Sequence, residues 1–145
     1  MRRMLLRSTV AGLMAASFLA LAPAAFAQAV NYKADLKAAS QVPPNDSKGT
    51  GALTATYDPA SKKLTYTVNY KDLTGPATAA HFHGPADAKT NAAVVVPVNG
   101  AVTSPIKGEA TLTDAQAADL LAGKLYVNIH TAANPGGEIR GQVTK

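Results

Sequence analysis

The chain contains no cysteine. That excludes a disulfide framework, a thiolate metal site, a cysteine nucleophile and a lipid anchor attached behind a cleaved leader. No serine stands in a Gly-x-Ser-x-Gly elbow, and no acidic pair is marked by its surroundings, so a hydrolase has little support. The lysines are scattered, with only Lys62-Lys63 adjacent, which gives no basic surface for nucleic acid. No apolar run reaches the roughly 18 to 20 residues of a membrane span. Histidine is scarce as well: His81, His83 and His130 are all there are.

The longest apolar run, Val10 to Leu21, lies near the start of the chain. Arg2, Arg3 and Arg7 flank it on one side, and Ala25-Phe26-Ala27 offers a small-x-small cleavage site on the other. These features predict a signal peptide over residues 1–27, with the mature chain beginning at Gln28 and continuing as one domain over 28–145. They fit cleavage better than an uncleaved membrane helix. The expected location is periplasmic or secreted, with no membrane anchor. The formal charge of +5 includes three arginines of that leader; without them 11 basic residues face 9 acidic ones. A domain of about 120 residues can bury enough apolar surface to fold without cross-links.

Within the mature chain, period-two alternation dominates. Tyr32 to Ala38 sends Lys33, Asp35 and Lys37 to water, a charge pattern suited to a sheet edge. Gly51 to Tyr57 and Leu64 to Tyr70 flank the turn Asp58-Pro59-Ala60-Ser61 and should pair as a hairpin. Ala77 to His83 ends sharply at Gly84-Pro85. Ala92 to Val98 is continuously apolar, as for a strand buried on both faces. After a strand over Lys107 to Thr113, Thr113 and Gln116 form a capping-box pattern, and Ala115 to Ala122 favours a short helix stopped by Gly123. Lys124 to His130 and Glu138 to Thr144 flank Asn134-Pro135-Gly136-Gly137 and should form the last hairpin. About eight short strands with one short helix predict an all-β antiparallel sandwich or barrel.

The three histidines share a parity. Side chains alternate along a strand, so His81 and His83 lie on one face and Phe82 on the other. In Leu125 to His130 the apolar Leu125, Val127 and Ile129 share one face, and Tyr126, Asn128 and His130 the other. If the two runs are neighbours in one sheet, all three imidazoles meet on the side turned away from the core. Imidazole suits copper and zinc, and copper binds tightest among the divalent ions. Three histidines would hold one ion and leave a position open. Asn128 shares that face and is placed to hydrogen-bond an imidazole.

Three segments resemble a known family. They are Leu73 to Pro85, with its Ala80-His81-Phe82-His83-Gly84-Pro85 ending; Leu112 to Gly123; and Tyr126 to Gln142, with Asn134-Pro135-Gly136-Gly137-Glu138. Together they look like the CHRD domain, the module repeated in chordin and found alone in many exported bacterial proteins. The resemblance implies an immunoglobulin-like β-sandwich in an exported protein and says little about activity. The histidine spacing is also similar, more weakly, to copper/zinc superoxide dismutase, itself a sandwich. That resemblance would make His81 and His83 the paired copper ligands, His130 a later ligand and Arg140 the residue guiding an anionic substrate. The chain departs from that enzyme in having no bridging histidine, no zinc set, too short a loop after His83 and no disulfide.

The sequence therefore supports an exported domain holding one transition metal ion, copper before others, at His81, His83 and His130. A protein-binding or matrix module without metal, partnered by an extracytoplasmic protein, is the alternative, with Tyr126 and Phe82 the first aromatics to consider. Copper-dependent superoxide dismutation is the one specific reaction the residues suggest, and the balance leans away from an enzyme. In the plainer and preferred reading Arg140 makes a surface salt bridge with Glu138 or a neighbour, Glu138 being a solvated strand-edge carboxylate.

Overall fold

The computed structural model describes residues 28–145; the expected signal peptide over 1–27 lies outside the described residues. Eight strands form: β1 (Val30–Lys37), β2 (Thr50–Asp58), β3 (Lys63–Lys71), β4 (Ala77–His83), β5 (Val94–Pro97), β6 (Ile106–Thr111), β7 (Tyr126–Thr131) and β8 (Ile139–Gln142). One helix, α1 (Asp114–Leu121), stands between β6 and β7, and a short 3-10 turn, Ala38–Ser40, follows β1. All strand pairings are antiparallel, in the order β5-β4-β7-β8-β1-β2-β3-β6.

The sheet curls so that its two four-stranded halves face each other. Alternation along β1, β2 and β3 turns Tyr32, Leu36, Leu53, Tyr57, Leu64 and Val68 inward. From the other half Phe82, Val127, Ile129 and Ile139 meet them, all wholly buried. Tyr66 of β3 meets Phe82 of β4 edge to face, with ring centroids 5.0 Å apart, so the core lies between the halves. The halves join through β8 and β1, at Lys37–Arg140 and Lys33–Thr144. Gly141 permits that seam: a Cβ there would stand 2.5 Å from the Asp35 carbonyl oxygen.

Helix α1 begins as its sequence specifies. The Thr113 hydroxyl accepts from the Gln116 amide at 3.2 Å, and the Gln116 side chain accepts from the Thr113 amide at 2.9 Å. Gln116 Nε2 also donates to the Val95 carbonyl of β5 at 2.8 Å, tying the helix to the far edge of the sheet. Leu120, with nearby Leu112 and Leu125, extends the core beneath the helix.

Two expectations change. The strand β1, whose alternating charges suggested an edge, lies inside the sheet between β8 and β2. Alternation reports only that one face meets water, and interior strands of an antiparallel sheet share that property. The apolar run Ala92 to Val98 is not buried on both faces. It forms the edge strand β5, with Val96 inward and Val94 45% exposed. An edge strand of a curled sheet has only one face against the core, whatever its composition.

Candidate metal centre

Strand β4 lies directly beside β7, and that adjacency unites the histidines. The register sets His81 opposite Asn128, His83 opposite Tyr126 and Ala79 opposite His130, so His130 is diagonal to His81 on the outer face. Phe82, between the two β4 histidines, points into the core. The His81 and His130 rings have centroids 4.9 Å apart, His81 and His83 5.7 Å, and His83 and His130 6.3 Å. One ligand nitrogen from each ring can be chosen so that all lie within 4.8 Å of one another. Two nitrogens bound to one zinc-sized ion stand about 4 Å apart at most, so side-chain adjustments of under an ångström gather all three.

Backbone carbonyls orient two of the rings. A carbonyl oxygen only accepts, so His130 Nδ1 donates to Pro135 at 2.9 Å and His83 Nδ1 donates to Ala92 at 2.9 Å. In the neutral ring each Nε2 then carries a lone pair. His130 Nε2 lies 3.1 Å from His81 Nδ1, and His83 Nε2 lies 3.1 Å from Asn128 Oδ1. Asn128 thus touches an imidazole, but with the His83 proton on Nδ1 the two facing atoms are both acceptors, so the expected hydrogen bond is not made in the neutral ring. Burial lowers the pKa of both His81 and His83, and neighbouring rings lower them further; for His83 the contacts with Ala92 and Asn128 act the other way. The shifts favour the neutral form of both rings, the form that binds a cation. His83 is buried, whereas His81 and His130 are partly exposed, so solvent reaches the cluster from their side.

The family model for the CHRD domain matches residues 32–143. The chain belongs to the CHRD domain family. Comparison with the curated proteins and with the solved structures gives no match, and the weaker likeness to superoxide dismutase finds no support there.

In this CHRD domain the segment between β4 and β5 folds back over the polar face. Tyr126 lies between His83 and Arg140, since β7 is flanked by β4 and β8. Its ring stacks on His83 with centroids 4.8 Å apart and an interplanar angle of 2°, and the Arg140 guanidinium carbon sits 3.5 Å from its centre. Arg140 donates to the carbonyls of Asp87 at 2.9 Å and Thr90 at 2.8 Å, and to Asn91 Oδ1 at 3.0 Å. Gln142 Nε2 donates to Ala86, closing the near end of the same loop.

These contacts revise the roles considered for Arg140. It is 1% exposed and bonded to loop oxygens; it makes no surface salt bridge with Glu138. Buried, with three of its N–H groups bonded to the loop and one face against Tyr126, it is badly placed to guide an anion from solvent. Its position holds the loop that covers Tyr126 and His83. Glu138 is likewise no solvated carboxylate but is wholly buried. Burial pushes its pKa up, yet hydrogen bonds donated by Ser47, Thr131 and Thr74 outweigh that and hold it at about 2. Asn134 Nδ2 adds another at 3.2 Å. Tyr126 and Phe82, suspected as docking aromatics, are both buried. The turn after β7 also contributes more than its shape: it supplies the Pro135 carbonyl to His130, and Gly137 (φ +120°) keeps it close, because a Cβ there would press on the side chains of Gln41 and Asn128.

Sequence parity pointed to His81, His83, His130 and Asn128. It could not reveal the carbonyls of Ala92 and Pro135, because backbone acceptors leave no mark in side-chain composition. The Glu138 partners come from three separate parts of the chain, and nothing in the sequence pattern joined them.

Proposed function

We propose that this CHRD protein is exported and binds one transition metal ion, preferably copper, through His81, His83 and His130. The observation that carries the reading is the convergence of three ligand nitrogens on one partly open face, two of the rings being oriented by backbone carbonyls. Neutral imidazole is the donor copper and zinc take, and the divalent series puts copper above zinc. A bound cupric ion would supply Lewis acidity and one-electron redox chemistry at that face. The chain's own contribution is to hold His83 and His130 by their Nδ1 protons, to back His83 with Tyr126 and to leave His81 free to adjust. No side chain here is placed as a proton donor to a substrate, and Arg140 is engaged elsewhere, so the reading is a binding protein rather than a dismutase.

The basic start, apolar run and Ala25-Phe26-Ala27 site support export to the periplasm or the outside. Untagged protein recovered from the exported fraction should begin at or near Gln28 by mass spectrometry and carry close to one equivalent of transition metal, chiefly copper. Recovery of the intact leader on exported protein would contradict the processing step. Metal-free protein that also fails to take up added copper would contradict the binding.

A further inference from the structure

Asn128 stands at the centre of the polar face. Tyr126 and His130 are its neighbours along β7, His81 its partner across β4 and Arg140 its partner across β8. It is buried, and its Oδ1 lies 3.1 Å from His83 Nε2. The proton of His83 is on Nδ1, engaged by the Ala92 carbonyl. His83 Nε2 and Asn128 Oδ1 thus face each other as two acceptors, with no hydrogen between them in the neutral ring. A buried pairing of that kind is unfavourable in isolation. A cation bound to both atoms removes the conflict.

The spacing suits a shared ion. Two donors bonded at about 2.0 to 2.2 Å, at an angle near that of a tetrahedral or square arrangement, stand about 2.9 to 3.5 Å apart. His83 Nε2 and Asn128 Oδ1 are 3.1 Å apart, and so are His81 Nδ1 and His130 Nε2. We propose that Asn128 Oδ1 is a fourth protein donor, making the site three imidazole nitrogens and one amide oxygen. This rests on the three-histidine reading and adds a ligand class to it. An amide oxygen is a harder donor than sulfur or imidazole and favours divalent over monovalent copper. The site is accordingly one for Cu(II), not a cuprous carrier.

The rival arrangement turns the amide over, so that Nδ2 donates to His83 Nε2 and blocks its lone pair. The two arrangements have opposite consequences. With Asn128 as a donor, Asn128→Ala lowers Cu(II) affinity about tenfold or more and changes Cu(I) affinity far less. Asn128→Asp keeps an oxygen in place and binds Cu(II) at least as tightly as the parent. Affinities are read by competition with a Cu(II)-selective and a Cu(I)-selective chelator, with electron paramagnetic resonance of the Cu(II) forms reporting a changed equatorial donor set in Asn128→Ala. Unchanged or increased Cu(II) affinity in Asn128→Ala overturns the proposal while leaving the histidine site intact. Should Asn128→Ala not fold by circular dichroism, loss of Cu(II) affinity in folded Asn128→Asp overturns it instead. Equal copper binding by the parent and by a His81/His83/His130→Ala protein overturns the three-histidine reading itself, a result distinct from either.

Discussion

Arg140 is the largest side chain among the fully buried ones, and its charge is met by hydrogen bonds to oxygens of a single loop, with the Asp87 carboxylate acting on it from beyond salt-bridge distance. Arg140→Ala would remove the donor to the Thr90 carbonyl, leave the Asp87 carbonyl only the long contact from the Thr90 amide at 3.4 Å, and uncover one face of Tyr126. The expected loss of stability is about 2 to 4 kcal/mol, read from urea unfolding with the slope unchanged. Copper affinity in the folded variant should stay within a few-fold of the parent, since a guanidinium cannot ligate the ion. A stability change under about 0.5 kcal/mol would show that the loop is held by other contacts. The sequence drew attention to Arg140 only through the resemblance to superoxide dismutase, and its partners are mostly backbone carbonyls. Nothing in a side-chain pattern marks those oxygens, so its burial was not legible.

Elements were legible where local chemistry decides them. The β2–β3 and β7–β8 hairpins, the span of β4 and the capping box of α1 all follow from alternation, turn residues and a single Thr/Gln pair. The interior position of β1 and the edge position of β5 depend on pairings between distant segments, about which period two is silent. Glu138 shows the same limit. It joins the loop holding Ser47, the turn at Thr74 and the connection from Thr131 to Asn134, so its environment exists only once three loops meet. Its folded-state pKa of about 2 lies below the ordinary 4.5. A depressed carboxylate contributes stability that is complete above its unfolded value and is lost as pH falls toward the folded one. The parent should therefore lose on the order of 3 kcal/mol between about pH 5 and pH 2 from this group. Glu138→Gln should be less stable than the parent at pH 7, with a shallower acid dependence in unfolding titrations. Parallel pH profiles for the two proteins would contradict this account of the hub.

At the scale of the whole molecule, the eight strands form one curled sheet whose halves meet through β8 and β1. This order brings β4 against β7, and β7 against β8, on a single outer face. The all-β class with one short helix was legible from strand count and spacing. The histidine cluster was legible only on the condition that β4 and β7 are neighbours, which sequence alone leaves open. Among the described residues no helix is long and apolar enough to cross a membrane. The central claim is that this face binds one ion through its histidines, and calorimetric titration of the mature protein with Cu(II) tests it most directly. The parent should saturate at one ion per chain. Each single His→Ala variant should lose more affinity than the roughly 10- to 100-fold that removing a ligand's hydrogen-bonding partner causes, because no other histidine can replace the missing ligand. A folded triple His81/His83/His130→Ala protein that binds Cu(II) with the parent's stoichiometry and affinity would contradict it.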